Sequence, residues 1–212
     1  MPIALFSFKR KISIKAKLVM GLLLSACFSE QALAVLTLTP LVNTSRRLTL
    51  QVGSSQFGTV NSVTFNVTTD KTSPNNTPIQ GVPSATAATA ATTPANGILI
   101  KLTSEIPFAL VNVWQNVKLT VDSSVGLACI SGTGCGSTII PFSTISWVSY
   151  NRGSYDINDG SFTDGSTQTL FWVGSLNAGL QLENTLVFTY ANSTIYPAGQ
   201  YTGRVTYTAT LP

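Results

Sequence analysis

Residues 193–212 read STIYPAGQYTGRVTYTATLP. After the turn signal Pro197-Ala198-Gly199, alternate residues fall into two sets. Tyr201, Gly203, Val205, Tyr207, Ala209 and Leu211 form one set, and Thr202, Arg204, Thr206, Thr208 and Thr210 the other. Side chains of a strand alternate between faces, so a period of two in a Thr/Val/Tyr-rich run predicts one strand with an apolar face to bury and a hydroxyl face to leave outside. Its backbone groups need partners within a sheet, or they stay behind as a sticky edge.

The same period recurs upstream. Residues 47–53 place Leu48, Leu50 and Val52 on one face, and residues 60–68 do so with Val63, Phe65 and Val67. Further strands are expected at 98–103, 108–122, from Ser143 to Tyr150 (after a break at Pro141), 167–173 and 185–190. Residues 35–42 (VLTLTPLV) read as an edge strand or a free arm, because Pro40 cannot donate a ladder hydrogen bond. Asp70 to Gly97 holds four prolines and the tract SATAATAATTPA, and is expected to be a long surface loop. Turn signals recur at Asn151-Arg-Gly153, Asp159-Gly160, Asp164-Gly165 and Asn177-Ala-Gly179. Many short strands with such punctuation predict an all-β sandwich or barrel, and no helical period runs long enough to compete.

The first 34 residues read as an export signal. Lys9, Arg10, Lys11, Lys15 and Lys17 precede an apolar run, Leu18 to Phe28, too short to span a bilayer. Ala32-Leu33-Ala34 is a small-x-small site, so a cut after Ala34 is expected. Leu24-Ser25-Ala26-Cys27 offers the competing cut, which would lipidate Cys27 and tether the protein to the outer membrane. Five of the 12 Lys+Arg and one of the 8 acids precede residue 35, leaving seven of each. The remainder, a single domain over 35–212, is neutral and gives no reason to invoke nucleic acid.

Cys129 and Cys135 sit in a glycine-rich stretch, with glycines at 132, 134 and 136. In an oxidising compartment the pair is expected to form one disulfide worth about 2 kcal/mol, since the loop it closes is short. The chain has no His, which removes the usual Ser and Cys triads and leaves no ligand set for zinc. No catalytic residue, metal or cofactor is assigned. Asp156, Asp159 and Asp164 could hold calcium, but Gly160 breaks the EF-hand order, and Asp with Gly is also ordinary turn chemistry. Aromatics that could stack on a glycan include Trp114, Trp147, Trp172 and Phe171, though tryptophan in such folds is more often core. Tyr150, Tyr155 and Phe162, in the Gly/Asp-rich segment, are expected to be the exposed ones and the face for a ligand. The Asn-x-Ser/Thr triplets at Asn43, Asn66, Asn75 and Asn192 carry no weight behind a signal of bacterial type.

The run Tyr196-Pro197-Ala198-Gly199-x-Tyr201-x-Gly203-x-Val205-x-Tyr207 resembles the ends of bacterial fimbrial (pilin) subunits of the chaperone–usher type, with this chain as a divergent member. Leu211 stands where those subunits usually carry tyrosine, and Cys129 and Cys135 are closer together than their cysteines. The resemblance implies an immunoglobulin-like, Greek-key β-sandwich that lacks one strand. A periplasmic chaperone fills the gap first, and then the N-terminal arm of the next subunit, delivered at an outer-membrane usher, takes its place. In this chain the arm would be residues 35–44 with Leu36, Leu38 and Val42 as its inserted side chains, and Tyr201, Val205, Tyr207 and Leu211 would border the groove. The expected function is therefore a non-enzymatic structural or adhesive subunit of a surface fibre, exported through the periplasm to the cell surface, whose partners are copies of itself or homologous subunits. The alternative is a complete secreted sandwich that binds a glycan or another surface ligand through Tyr150, Tyr155 and Phe162.

Overall fold

A computed structural model describes residues 47–53, 60, 62–72, 77–84, 92–106, 114–123 and 125–211, and the backbone of Thr37 and Leu38. Fifteen strands are described, in three sheets. The first runs β1 (Thr37–Leu38), β15 (Thr206–Thr210), β7 (Gln115–Asp122), β12 (Thr167–Leu176). The second runs β11 (Gly160–Ser161), β10 (Ile145–Tyr150), β13 (Leu180–Tyr190), β6 (Ile98–Glu105), β2 (Arg47–Val52), with β4 (Ile79–Gln80) also on β13. The third runs β5 (Val82–Pro83), β3 (Val63–Val67), β14 (Gly199–Gly203), β8 (Leu127–Cys129), β9 (Ile139–Ile140). Every described pairing is antiparallel except β1 with β15.

The strands form where the sequence alternates. In β6 and β7 every second residue is buried, placing Ile98, Ile100 and Leu102 beside Val117, Leu119 and Val121 in one apolar core. That core also takes Phe65 from β3, Leu127 from β8, Ile145 and Trp147 from β10, and Leu182, Leu186 and Phe188 from β13, so all three sheets turn a face to it. Burying side chains of this size is worth roughly 1.5–3 kcal/mol each, the term that opposes chain entropy. One polar bridge crosses it: the Gln115 amide on β7 donates to the Ser104 hydroxyl on β6 at 2.8 Å, and both residues are buried.

Three expectations change. The closing strand is two strands: β14 belongs to the third sheet and β15 to the first, and the chain changes partners at Arg204–Val205. The stretch 70–97 is not loop throughout, since Ile79 is buried where β4 caps the free end of β13, and β5 lies on β3. Pro83 is tolerated there because β5 is an edge strand and owes no inner ladder bond. Strands β12 and β13 run longer than expected, and β12 carries irregularities between Thr169 and Phe171 and between Val173 and Leu176.

Candidate functional site at the edge of the C-terminal strand

The inward face of β14 and β15 matches the alternation: Tyr201, Tyr207, Ala209 and Leu211 are buried, and Val205 packs against the same core half-exposed. These side chains serve the interior of their own fold. The Tyr201 hydroxyl donates to the Pro197 carbonyl at 2.8 Å, and the Tyr190 hydroxyl to the Thr194 carbonyl at 3.2 Å. Burial raises the hydroxyl pKa of Tyr201 and Tyr207, and pushes that of Tyr190 to about 12 with help from Tyr196 and Tyr201 nearby. Two glycines allow the close packing of β14. A Cβ on Gly203 would lie 2.3 Å from Leu127 Cδ2, and one on Gly199 would lie 2.5 Å from Cys135 Sγ.

The edges of this double strand differ. On one side β14 pairs with β8, and β15 pairs with β7 over five residues, Thr206 to Thr210. On the other side β3 covers β14 over five residues, Gly199 to Gly203. Along β15 that side is met only at Thr208 and Ala209, in parallel, by Thr37 and Leu38 among the described residues. An open cleft of about 410 Å³ lies where the strand changes sheets, lined by Ser62, Asp122, Val125, Thr202, Arg204 and Thr206 among others. Such an edge offers N–H and C=O groups in a row, which is the chemistry that captures an extended peptide. Of the expected arm residues, Leu38 is in register with Ala209, whereas Leu36 and Val42 lie outside the described residues, as do Cys27 and the whole expected signal segment.

Cys129 and Cys135 are joined by a disulfide, with their Cα atoms 5.7 Å apart. Their loop is fastened to β14. The Gln200 N–H donates to Thr133 Oγ1 at 3.0 Å, and the Ile130 N–H donates to the Gln200 carbonyl at 2.8 Å. The staple thus anchors the start of the C-terminal strand.

The expected ligand face does not form. Phe162 is only 5% exposed, with its ring among those of Phe142, Trp147 and Phe188 at 5.3, 4.9 and 5.7 Å. Tyr155 is half-buried edge-on to Phe171 at 6.0 Å. Tyr150 alone of the three is exposed, at 41%. The reason lies in the polar residues between them, which fold the segment inward. Buried Asn184 accepts the Ile157 N–H at 3.0 Å and donates to Asp156, so that Ile157 enters the core. Asp156 also accepts the Gly153 N–H at 2.8 Å. Asp159 accepts the Ser149 N–H at 2.8 Å and pairs with Arg152; the amide first, then the guanidinium, hold its carboxyl below the usual range. Asp164 accepts both the backbone N–H and the hydroxyl of Ser143. All three carboxylates are engaged in fixing turns. Among the described residues no three His, Cys, Asp or Glu side chains are grouped to hold a metal ion.

Of the tryptophans named as stacking candidates but weighted toward the core, two are exposed. Trp114 is 63% and Trp172 62% exposed, whereas Trp147 is core and donates to the Asn158 carbonyl at 2.8 Å. Trp172 follows Leu170 and Phe171 in an unbroken apolar run, which conceals the phase; the irregularity after Thr169 turns it outward. No family model, curated protein or solved structure matches the chain. Among the described residues no helix is long and apolar enough to cross a membrane.

Proposed function

We propose that the chain is an exported, non-enzymatic structural subunit of a bacterial surface fibre, with an immunoglobulin-like, Greek-key sandwich that assembles by strand addition. One observation carries this reading: among the described residues the outer edge of β15 is met by two residues of an N-terminal segment paired in parallel, while its other edge is held by β7 over five residues. A short contact of this kind is readily exchanged for a longer one, and the same segment from a second copy can take its place. Head-to-tail exchange does not close on itself and yields an open fibre. In this reading the partners are copies of the chain or homologous subunits, with a periplasmic chaperone holding the edge beforehand and an outer-membrane usher delivering the subunit to the surface.

The test is removal of residues 35–44. The truncated chain should fail to polymerise and still be captured by a strand-donating chaperone; polymers like those of the full chain would defeat the proposal. The competing reading, a complete secreted binding module, draws on the fact that β1 already pairs within its own chain. It requires a stable monomer with no ladder of heat-sensitive multimers on unboiled gels.

A further inference from the structure

The outward face of the first sheet is a polar grid with one indole laid on it. Register places Thr210, Lys118 and Trp172 in one row across β15, β7 and β12, and Thr208, Thr120 and Thr169 in the next. The opposite faces of these strands supply core residues, so these side chains point away from the interior. Three strands make the grid about 10 Å wide.

Trp172 is held in place while leaving most of its surface free. A Cβ on Gly174 would lie 2.8 Å from both Cζ2 and Cη2 of the indole, so the ring rests on bare backbone that only glycine provides. Asn116 fixes that backbone, its Oδ1 accepting the Ser175 N–H at 3.1 Å within the second irregularity of β12. One side of the ring is packed and the rest is solvent-facing. Trp114, two residues before Asn116 on the same chain segment, is also exposed.

The surroundings select the partner. Among the described residues of this face the neighbours of the ring are threonines, Asn116 and Lys118, a polar setting unlike the apolar centre of a protein interface. A sugar ring suits them: its C–H face lies on an indole while its hydroxyls meet Thr and Asn. Charge then narrows the class. Lys118 stands directly across from Trp172 and takes part in neither of the ion pairs formed among the described residues. The nearest acid on that strand face is Asp122, four residues and about 13 Å along β7.

We propose that the outer face of β7, β12 and β15 binds an acidic saccharide, with Trp172 as the stacking ring and Lys118 as the contact for the sugar's carboxylate. This site is independent of the edge of β15 and of whether the chain polymerises.

The test is affinity electrophoresis of the purified chain in native gels cast with alginate, a polyuronate, or with dextran, a neutral glucan. Alginate should retard the protein and dextran should not. Trp172→Ala, which leaves the charge unchanged, should weaken the alginate interaction roughly tenfold, as expected for the loss of one aromatic contact. Gly174→Ala, which keeps the ring and displaces it, should weaken it by a lesser factor. Lys118→Gln should erase the preference for alginate over dextran. Tyr150→Ala, an exposed ring on another sheet, should migrate as the parent chain does. No retardation by alginate, equal retardation by dextran, or a Trp172→Ala variant that migrates like the parent overturns the proposal.

Discussion

Replacing Phe162 by alanine separates a ligand-face role from a core role, and the structure sets the size of the effect. The ring is buried and met by three others, each itself buried, at 4.9 to 5.7 Å. Removing it forfeits the transfer free energy of a full aromatic side chain and leaves a cavity, a combination that costs about 3–5 kcal/mol in well-packed cores. The flanking rings belong to three different segments, Phe142 before β10, Trp147 on β10 and Phe188 on β13, and can tilt into the space only in part. A loss near the middle of that range, about 4 kcal/mol, is expected, together with a drop in melting temperature of roughly 8–16 °C for a domain of this size. Tyr150→Ala, at an exposed ring, should change stability by no more than about 0.5 kcal/mol. Urea unfolding followed by tryptophan fluorescence suits the comparison, because Trp147 touches the mutated site; midpoints should move while the slope stays constant. A Phe162→Ala loss below about 1 kcal/mol, or equal losses for the two variants, would refute the placement of this segment in the core.

Three other outcomes are expected. Replacing Cys129 and Cys135 together by serine should lower stability by about 2 kcal/mol, measured against the oxidised parent in urea, since the closed loop is short. Gly199→Ala should cost about 1–3 kcal/mol by the same assay, because the new Cβ would meet Cys135 Sγ at 2.5 Å and Cys135 Cβ at 2.7 Å, and the staple cannot move aside; a smaller loss in the Cys-to-Ser background would show that the fixed disulfide carries part of it. Stability should fall as pH rises from about 10 towards 12, because Tyr190 in the folded chain holds its proton to about 12 while the unfolded chain gives it up near its ordinary value of 10.0. Tyr190→Phe should make that alkaline limb shallower in denaturant titrations while Tyr201 and Tyr207, also raised, keep part of it; an unchanged limb would assign the loss to those groups.

Strands with clean alternation were legible in the sequence, and β6 and β7 are the plainest cases: one residue in two is buried along their length. The closing run shows the limit of that signal. A change of sheet at Arg204–Val205 keeps the inward set inward, so periodicity cannot register that the neighbours have changed. Strand β4 escaped notice because two residues carry no period, and only the uncovered end of β13 gives them a role. For the candidate site, Tyr201 and Tyr207 were legible as one face, yet which edge of β15 has the shorter pairing among the described residues depends on long-range contacts. Phe162 was misread because Asp and Gly around it imply a solvent-facing turn. Buried Asn184, far along the chain, supplies the hydrogen bonds that fold the segment inward instead. Trp172 was obscured by a bulge, which alters strand phase without any distinctive residue to announce it.

The double strand β14–β15 also sets the order in which the molecule can be made. Its ladder partners, Val63–Val67, Gln115–Asp122 and Leu127–Cys129, all precede it by at least seventy residues of chain. Each can acquire its other neighbour earlier, as β3 does with β5, β7 with β12 and β8 with β9. Until residues 199–210 arrive, two of the three sheets are split down the middle, with unpaired backbone facing the gap. Pairings this distant in sequence form slowly, and open strands in the meantime invite wrong partners. A nascent chain that has completed β13 therefore still lacks the double strand that joins these halves, and the rate at which residues 199–210 dock should govern the yield of correctly folded molecules.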